Sequence, residues 1–121
     1  MTKRDLTSFE SELLKAVFNQ HRDNYRLTQE AIATLRVKDV ETTGVGAYVT
    51  FHRQNPALFE ESISAQLGYD GNINVPGVPS GLGCVIDITD GLIRHIELFT
   101  YGDEKWNGDT RIENFELRTS P

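Results

Sequence analysis

The chain has one cysteine, one tryptophan and one methionine, and it has no long apolar run. A single cysteine excludes an intrachain disulfide. At 121 residues the chain buries roughly two-thirds of the surface its unfolded form exposes, so it folds without a covalent or metal staple. No stretch reaches the ~18 consecutive apolar residues of a membrane span. The start, MTKRDLTSFESELLK, lacks an apolar core of signal-peptide length. These absences lead to the expectation of a cytoplasmic protein with no membrane partner.

Cations are scarce as well: twelve Lys/Arg stand against eighteen Asp/Glu, for a formal charge of −6. Gripping a phosphate backbone needs clustered Lys and Arg, which argues against a nucleic-acid partner. The charge is uneven. Residues 1–53 carry eight basic and seven acidic side chains, residues 54–121 four and eleven. An acidic half suits solubility or the electrostatic steering of a basic protein partner.

Ligand motifs are missing too. His21, His52 and His95 are scattered with no partner at metal-ligand spacing. Asp70-x-Asn72-x-Asn74 imitates the start of a calcium loop, but the sixth position is Val75 and the twelfth is Gly81, where glycine and glutamate are needed. It reads as a turn. No Gly-Lys-Ser/Thr follows the glycine-rich segment, and Gly77-x-x-x-Gly81-x-Gly83 has the wrong spacing for a dinucleotide fingerprint. Neither a cofactor nor a metal is expected.

What is present is patterning for one α+β domain over 1–121. Thr7-x-x-Glu10 is a capping box. After it Phe9, Leu13, Leu14, Val17 and Phe18 recur at helical spacing. Asp23 or Asn24 can cap a second helix with Leu27, Ala31, Ile32 and Leu35 inward, which makes an N-terminal αα-hairpin. Strands follow: a weak one at Arg36–Glu41, then Ala47–His52. Phe59–Leu67 suits a helix at its start, but its alternation favours a strand. Gly68–Gly83, with five glycines and two prolines, is a loop that is either functional or hides a short strand at Ile73–Val75. The last strand is expected within Arg111–Arg118. Short connections favour antiparallel pairing. The expected architecture is the αα-hairpin packed on a curved, mostly antiparallel sheet of five or six strands.

Gly83–Trp106 is the clearest segment. Asp90-Gly91 between two β-rich runs favours a two-residue type I′ turn. That turn would pair Thr89 with Leu92, Ile88 with Ile93, Asp87 with Arg94, Ile86 with His95, Val85 with Ile96 and Cys84 with Glu97. His95 and Glu97 then share a face with Cys84, Ile86, Ile88, Ile93, Phe99 and Tyr101. A carboxylate and an imidazole among apolar groups make a weak acid/base candidate; the blander alternative is a polar pair at the sheet rim. Cys84 reads as a buried small apolar residue. Tyr101, Asp103, Glu104 and Trp106 combine aromatics with acids, as a protein-binding edge does, unless Trp106 folds back over the sheet end.

Thr43-Gly-Val-Gly-Ala-Tyr-Val-Thr-Phe51 and the hairpin that ends Ile-Glu-Leu-Phe-Thr-Tyr-Gly-Asp-Glu-Lys-Trp106 resemble a group of small uncharacterised bacterial proteins. Many of these have proline after the tryptophan, where this chain has Asn107. The compact acidic style is similar to immunity proteins that neutralise bacterial toxins. The resemblance covers about a third of the chain and implies the α+β fold and a bacterial origin, but no chemistry for any named residue.

Three functions follow as expectations. One is a non-enzymatic protein-binding domain, an immunity or regulatory protein that engages a basic partner. The alternative is a small ligand-binding domain or enzyme with a site near His95/Glu97 and the Gly68–Gly83 loop. The third is a homodimer formed through a strand edge or a patch at Trp106.

Overall fold

Thr7 starts the first helix as expected. In the computed structural model, which describes residues 4–119, its side chain accepts from the Glu10 N–H and the Glu10 carboxylate accepts from the Thr7 N–H. Helix α1 runs Ser8–Gln20 and buries Phe9, Leu13, Leu14, Val17 and Phe18. The second helix is shorter than its apolar stripe implies. Helix α2 spans Gln29–Ala33, five residues, and is capped by Thr28 rather than by Asp23 or Asn24. Leu27 therefore precedes the helix, and Ile32 and Leu35 reach the core from α2 and the turn after it.

Among the described residues seven strands follow: β1 Val37–Thr42, β2 Gly46–Phe51, β3 Ala65–Gly68, β4 Gly71–Val75, β5 Val78–Thr89, β6 Leu92–Thr100 and β7 Glu116–Thr119. All pairings are antiparallel, in the order β1-β2-β6-β5-β4-β7. The fold class is therefore α+β, with one sheet that carries more strands than the five or six expected.

Strand β5 is twelve residues long and serves two short neighbours along one edge. Val85–Ile88 pair with β3, while Val78 and Leu82 pair with β4. The break between β3 and β4 is pinned from the helix. The Gln20 side-chain amide donates to the Asp70 carbonyl at 2.7 Å and accepts from the Asp70 N–H at 2.8 Å. A side chain thus supplies Asp70 with the hydrogen bonds a strand neighbour would give.

Gly68–Gly83 is consequently not a loop. It holds the end of β3, all of β4, a tight turn at Pro76-Gly77 and the start of β5. Gly77 has φ +83°, as the position after the proline in a type II turn requires. Asn72 and Asn74 are strand residues opposite Arg118 and Glu116, so the calcium-loop imitation is no turn. The last strand occupies only the end of the expected Arg111–Arg118 segment.

The core lies between the helices and the inner sheet face. Ile73, Leu82, Cys84, Ile86, Ile88, Ile93, Ile96 and Leu98 join Phe9, Leu13, Leu14 and Val17 in one apolar cluster. Trp106 belongs to that cluster and is 8 % exposed. Burial pushes the Cys84 thiol up to about 12, so it is a packing residue and not a ready nucleophile. Among the described residues no helix is long and apolar enough to cross a membrane.

Candidate functional site: the outer face of the sheet

The decisive departure from expectation is one residue wide. Asp90 and Gly91 have φ +53° and +76°, as a type I′ turn demands, and Thr89–Leu92 and Ile88–Ile93 pair as expected. The next pair is Asp87–His95, not Asp87–Arg94. Arg94 is an extra residue on β6, a β-bulge. Beyond it Ile86 faces Ile96, Val85 faces Glu97 and Cys84 faces Leu98.

Because side chains alternate, one inserted residue turns everything beyond it to the opposite face. Ile96 and Leu98 go inward and are essentially unexposed. His95, Glu97 and Phe99 go outward and are half-buried. His95 and Glu97 therefore do not sit among Cys84, Ile86, Ile88 and Ile93. No Asp87–Arg94 ion pair forms among the described residues.

A side chain from elsewhere braces the bulge. Strand β2 ends at Phe51, before it can flank Ile93. The Gln54 amide takes its place, donating to the Ile93 carbonyl at 2.9 Å and accepting from the Ile93 N–H at 2.8 Å. The sequence contains no local signal for this, since Gln54 and Ile93 are thirty-nine positions apart.

The outward residues form two rows across the strands. The first runs Glu41, Tyr48, Glu97 and Val85 from β1 to β5, and the second Asp39, Thr50, His95 and Asp87. Cross-strand neighbours in such rows lie roughly 5 Å apart at Cβ. Tyr48 donates its hydroxyl to Glu97 at 3.2 Å, and its ring meets His95 edge-on with centroids 5.6 Å apart. The charge of Glu97 and the hydrogen bond to it, with Glu41 adding to them, raise the Tyr48 phenol above its ordinary range.

Four carboxylates, Asp39, Glu41, Asp87 and Glu97, thus share the face. Among the described residues none is in an ion pair. Asp87 accepts only from the Thr89 hydroxyl, at 2.9 Å. The stripe of β6 continues past Glu97 to Phe99, whose ring covers Gly83 so closely that a Cβ there would come within 2.3 Å of it. Tyr101 packs edge-on against Phe99 and is 49 % exposed.

The other expected binding residues divide. Tyr101 and Asp103 are exposed in the turn after β6. Glu104 is occupied: it accepts from the Ser80 N–H at 3.0 Å, and the Ser80 hydrogen bonding holds its carboxyl below the usual range. Trp106 is folded back, its N–H bonded to the Gly44 carbonyl at 3.1 Å, and offers no surface anchor. Sequence reasoning missed Asp39, Glu41, Tyr48 and Asp87 as members of one site, because they come from three strands.

No cluster of three or more His, Cys, Asp or Glu able to hold a metal occurs among the described residues. No protein-family model, curated protein or solved structure matches the chain.

Proposed function

We propose that this chain is a non-enzymatic protein-binding domain whose outer sheet face docks on a basic surface of a partner protein, in the manner of an immunity or regulatory protein. The observation that supports this reading is the set of four carboxylates, without ion pairs among the described residues, arranged around Tyr48 and His95 on a face where Asp39, Glu41 and Tyr48 are exposed. A lysine or arginine laid over Tyr48 would meet a ring face between two carboxylates, Glu41 and Glu97. That combines a cation–π contact with a charge-assisted hydrogen bond. Phe99 and Tyr101 extend the face with apolar area, which such a contact needs in order to hold after the charges have steered it into place.

The test is capture from a lysate of the source cells at low salt, with three baits: the native chain, Glu41→Lys/Glu97→Lys, and Glu30→Lys on the exposed side of α2. The expected outcome is a basic protein held by the native and Glu30→Lys baits, released by moderate salt and lost with the double variant. Retention of that protein by the double variant would remove the outer face as its docking surface.

A further inference from the structure

The opposite edge of the molecule carries the opposite charge. Strand β7 ends the sheet, and its far edge is unpaired among the described residues. Glu116 and Arg118 face outward, opposite Asn74 and Asn72, and are paired to each other at 2.8 Å. Leu117, between them, faces inward opposite Ile73 and is only half-buried.

Beside Leu117 lies a groove of about 580 Å³ between β7, α1 and the segment before α2. Phe18 and Leu27 contribute its apolar wall, and Lys15, Arg22 and Arg26 line it. Three cations with one acid, Glu12, is an unusual local balance in a chain of net charge −6. Lys15 is paired with Glu12 at 3.1 Å. Arg22 reaches only Asn19, in contacts of 3.3 and 3.4 Å. Arg26 makes no ion pair or side-chain hydrogen bond among the described residues.

We infer that the β7 edge and this groove together receive an extended acidic segment of a partner protein, added to the sheet as an eighth strand. An added strand lies roughly 4.8 Å from its neighbour, and its side chains alternate between the two faces. Its backbone would take up the free hydrogen-bonding groups of β7, the mode by which sheets bind peptides at an open edge. Its inward side chains would fall over Leu117 and Leu27. Carboxylates at the groove mouth would meet Arg22 and Arg26. A second copy pairing β7 to β7 is disfavoured, because a two-fold at Leu117 would bring both sets of cations together. The site is independent of the acidic outer face and takes a ligand of opposite charge.

The test uses the full ¹⁵N-labelled chain, titrated with the capped heptapeptide Thr-Val-Thr-Glu-Thr-Glu-Thr, whose valine and glutamates alternate with threonine and so share one face, with the same peptide carrying lysine for glutamate, and with decanoate. The expected result is that the glutamate peptide shifts and protects the amides of Glu116–Thr119 and shifts those of residues 22–27. Its affinity should fall at least tenfold in Arg22→Glu/Arg26→Glu, both exposed positions, with the thermal unfolding midpoint unchanged. The Glu41→Lys/Glu97→Lys variant should bind it as the native chain does, which separates this site from the outer face. Three results would overturn the inference: equal binding of the lysine peptide; shifts of the groove by decanoate with none from the glutamate peptide; and β7 protection that depends on protein concentration alone.

Discussion

The Thr110 hydroxyl donates to the Glu10 carboxylate at 2.6 Å, across one hundred positions of sequence. Glu10 is fully buried, and it also accepts from both terminal nitrogens of Arg4, at 2.9 and 2.8 Å, and from the Thr7 N–H. One carboxylate thus joins the segment before α1, the first turn of α1 and the stretch between β6 and β7. A buried charge is tolerable only when its hydrogen-bonding capacity is filled this way.

Thr110→Val keeps the shape and deletes the donor. It should destabilise the fold by about 1–3 kcal/mol, the cost of leaving a buried acceptor short of a partner. Urea unfolding monitored through Trp106 would measure it, and a midpoint equal to the native one would show that this hydrogen bond contributes nothing net.

The same network makes a pH prediction. Burial alone would raise the Glu10 carboxyl, but the hydrogen bonds from Arg4, Thr110 and Thr7 outweigh it and hold the group below its ordinary value. A carboxyl lowered by folding stabilises the native state above its unfolded value, and that contribution disappears as pH falls through the folded one. Glu10→Gln should therefore be less stable than the native chain at pH 7, and the difference should shrink as pH drops below the ordinary glutamate range. Stability curves that stay parallel from pH 7 to pH 3 would contradict this.

Gln54→Leu leaves the Ile93 N–H and carbonyl without the amide that serves them. The expected loss is about 1–3 kcal/mol. Hydrogen exchange offers a sharper reading, since the Ile93 amide should exchange faster while Leu98, deep in the β5–β6 ladder, stays protected. Unchanged exchange at Ile93 would mean that the bulge stands without its brace.

Deleting Arg94 tests the bulge itself. Without the extra residue His95 follows Ile93 directly, so the ladder becomes regular while Ile96 and Leu98 still face inward and His95 and Glu97 outward. The deletion should therefore keep cooperative unfolding, and Arg94→Ala should stay within about 0.5 kcal/mol of the native chain. Loss of cooperative unfolding in the deletion variant would show that the register beyond Ile93 does not rest on one extra residue there.

Gly91→Ala is expected to cost about 1–3 kcal/mol, the scale for a residue held in a sparsely populated conformation. Gly91 has φ +76°, and a Cβ would come within 2.4 Å of the Phe59 carbonyl and 2.6 Å of the Glu60 carbonyl. The turn is clamped from outside: Phe59 donates to the Gly91 carbonyl and Gly91 donates to the Ile63 carbonyl. Thermal unfolding would decide, with an unshifted midpoint counting against the clamp.

Local chemistry alone determined the capping box at Thr7 and Glu10, the apolar stripe of α1 and the Asp90-Gly91 turn. Each rests on residues within a few positions of one another, where backbone conformation and side-chain spacing leave few alternatives. Only the tertiary structure decided the face on which His95 and Glu97 stand, because Arg94 is extruded where β2 has ended and Gln54 replaces it. It also pooled the charge differently from the sequence halves. Asp39 and Glu41 come from the nearly neutral half and join Asp87 and Glu97 from the acidic one. A charge count along the chain cannot see this, since strand pairing brings together side chains that sequence separation keeps apart.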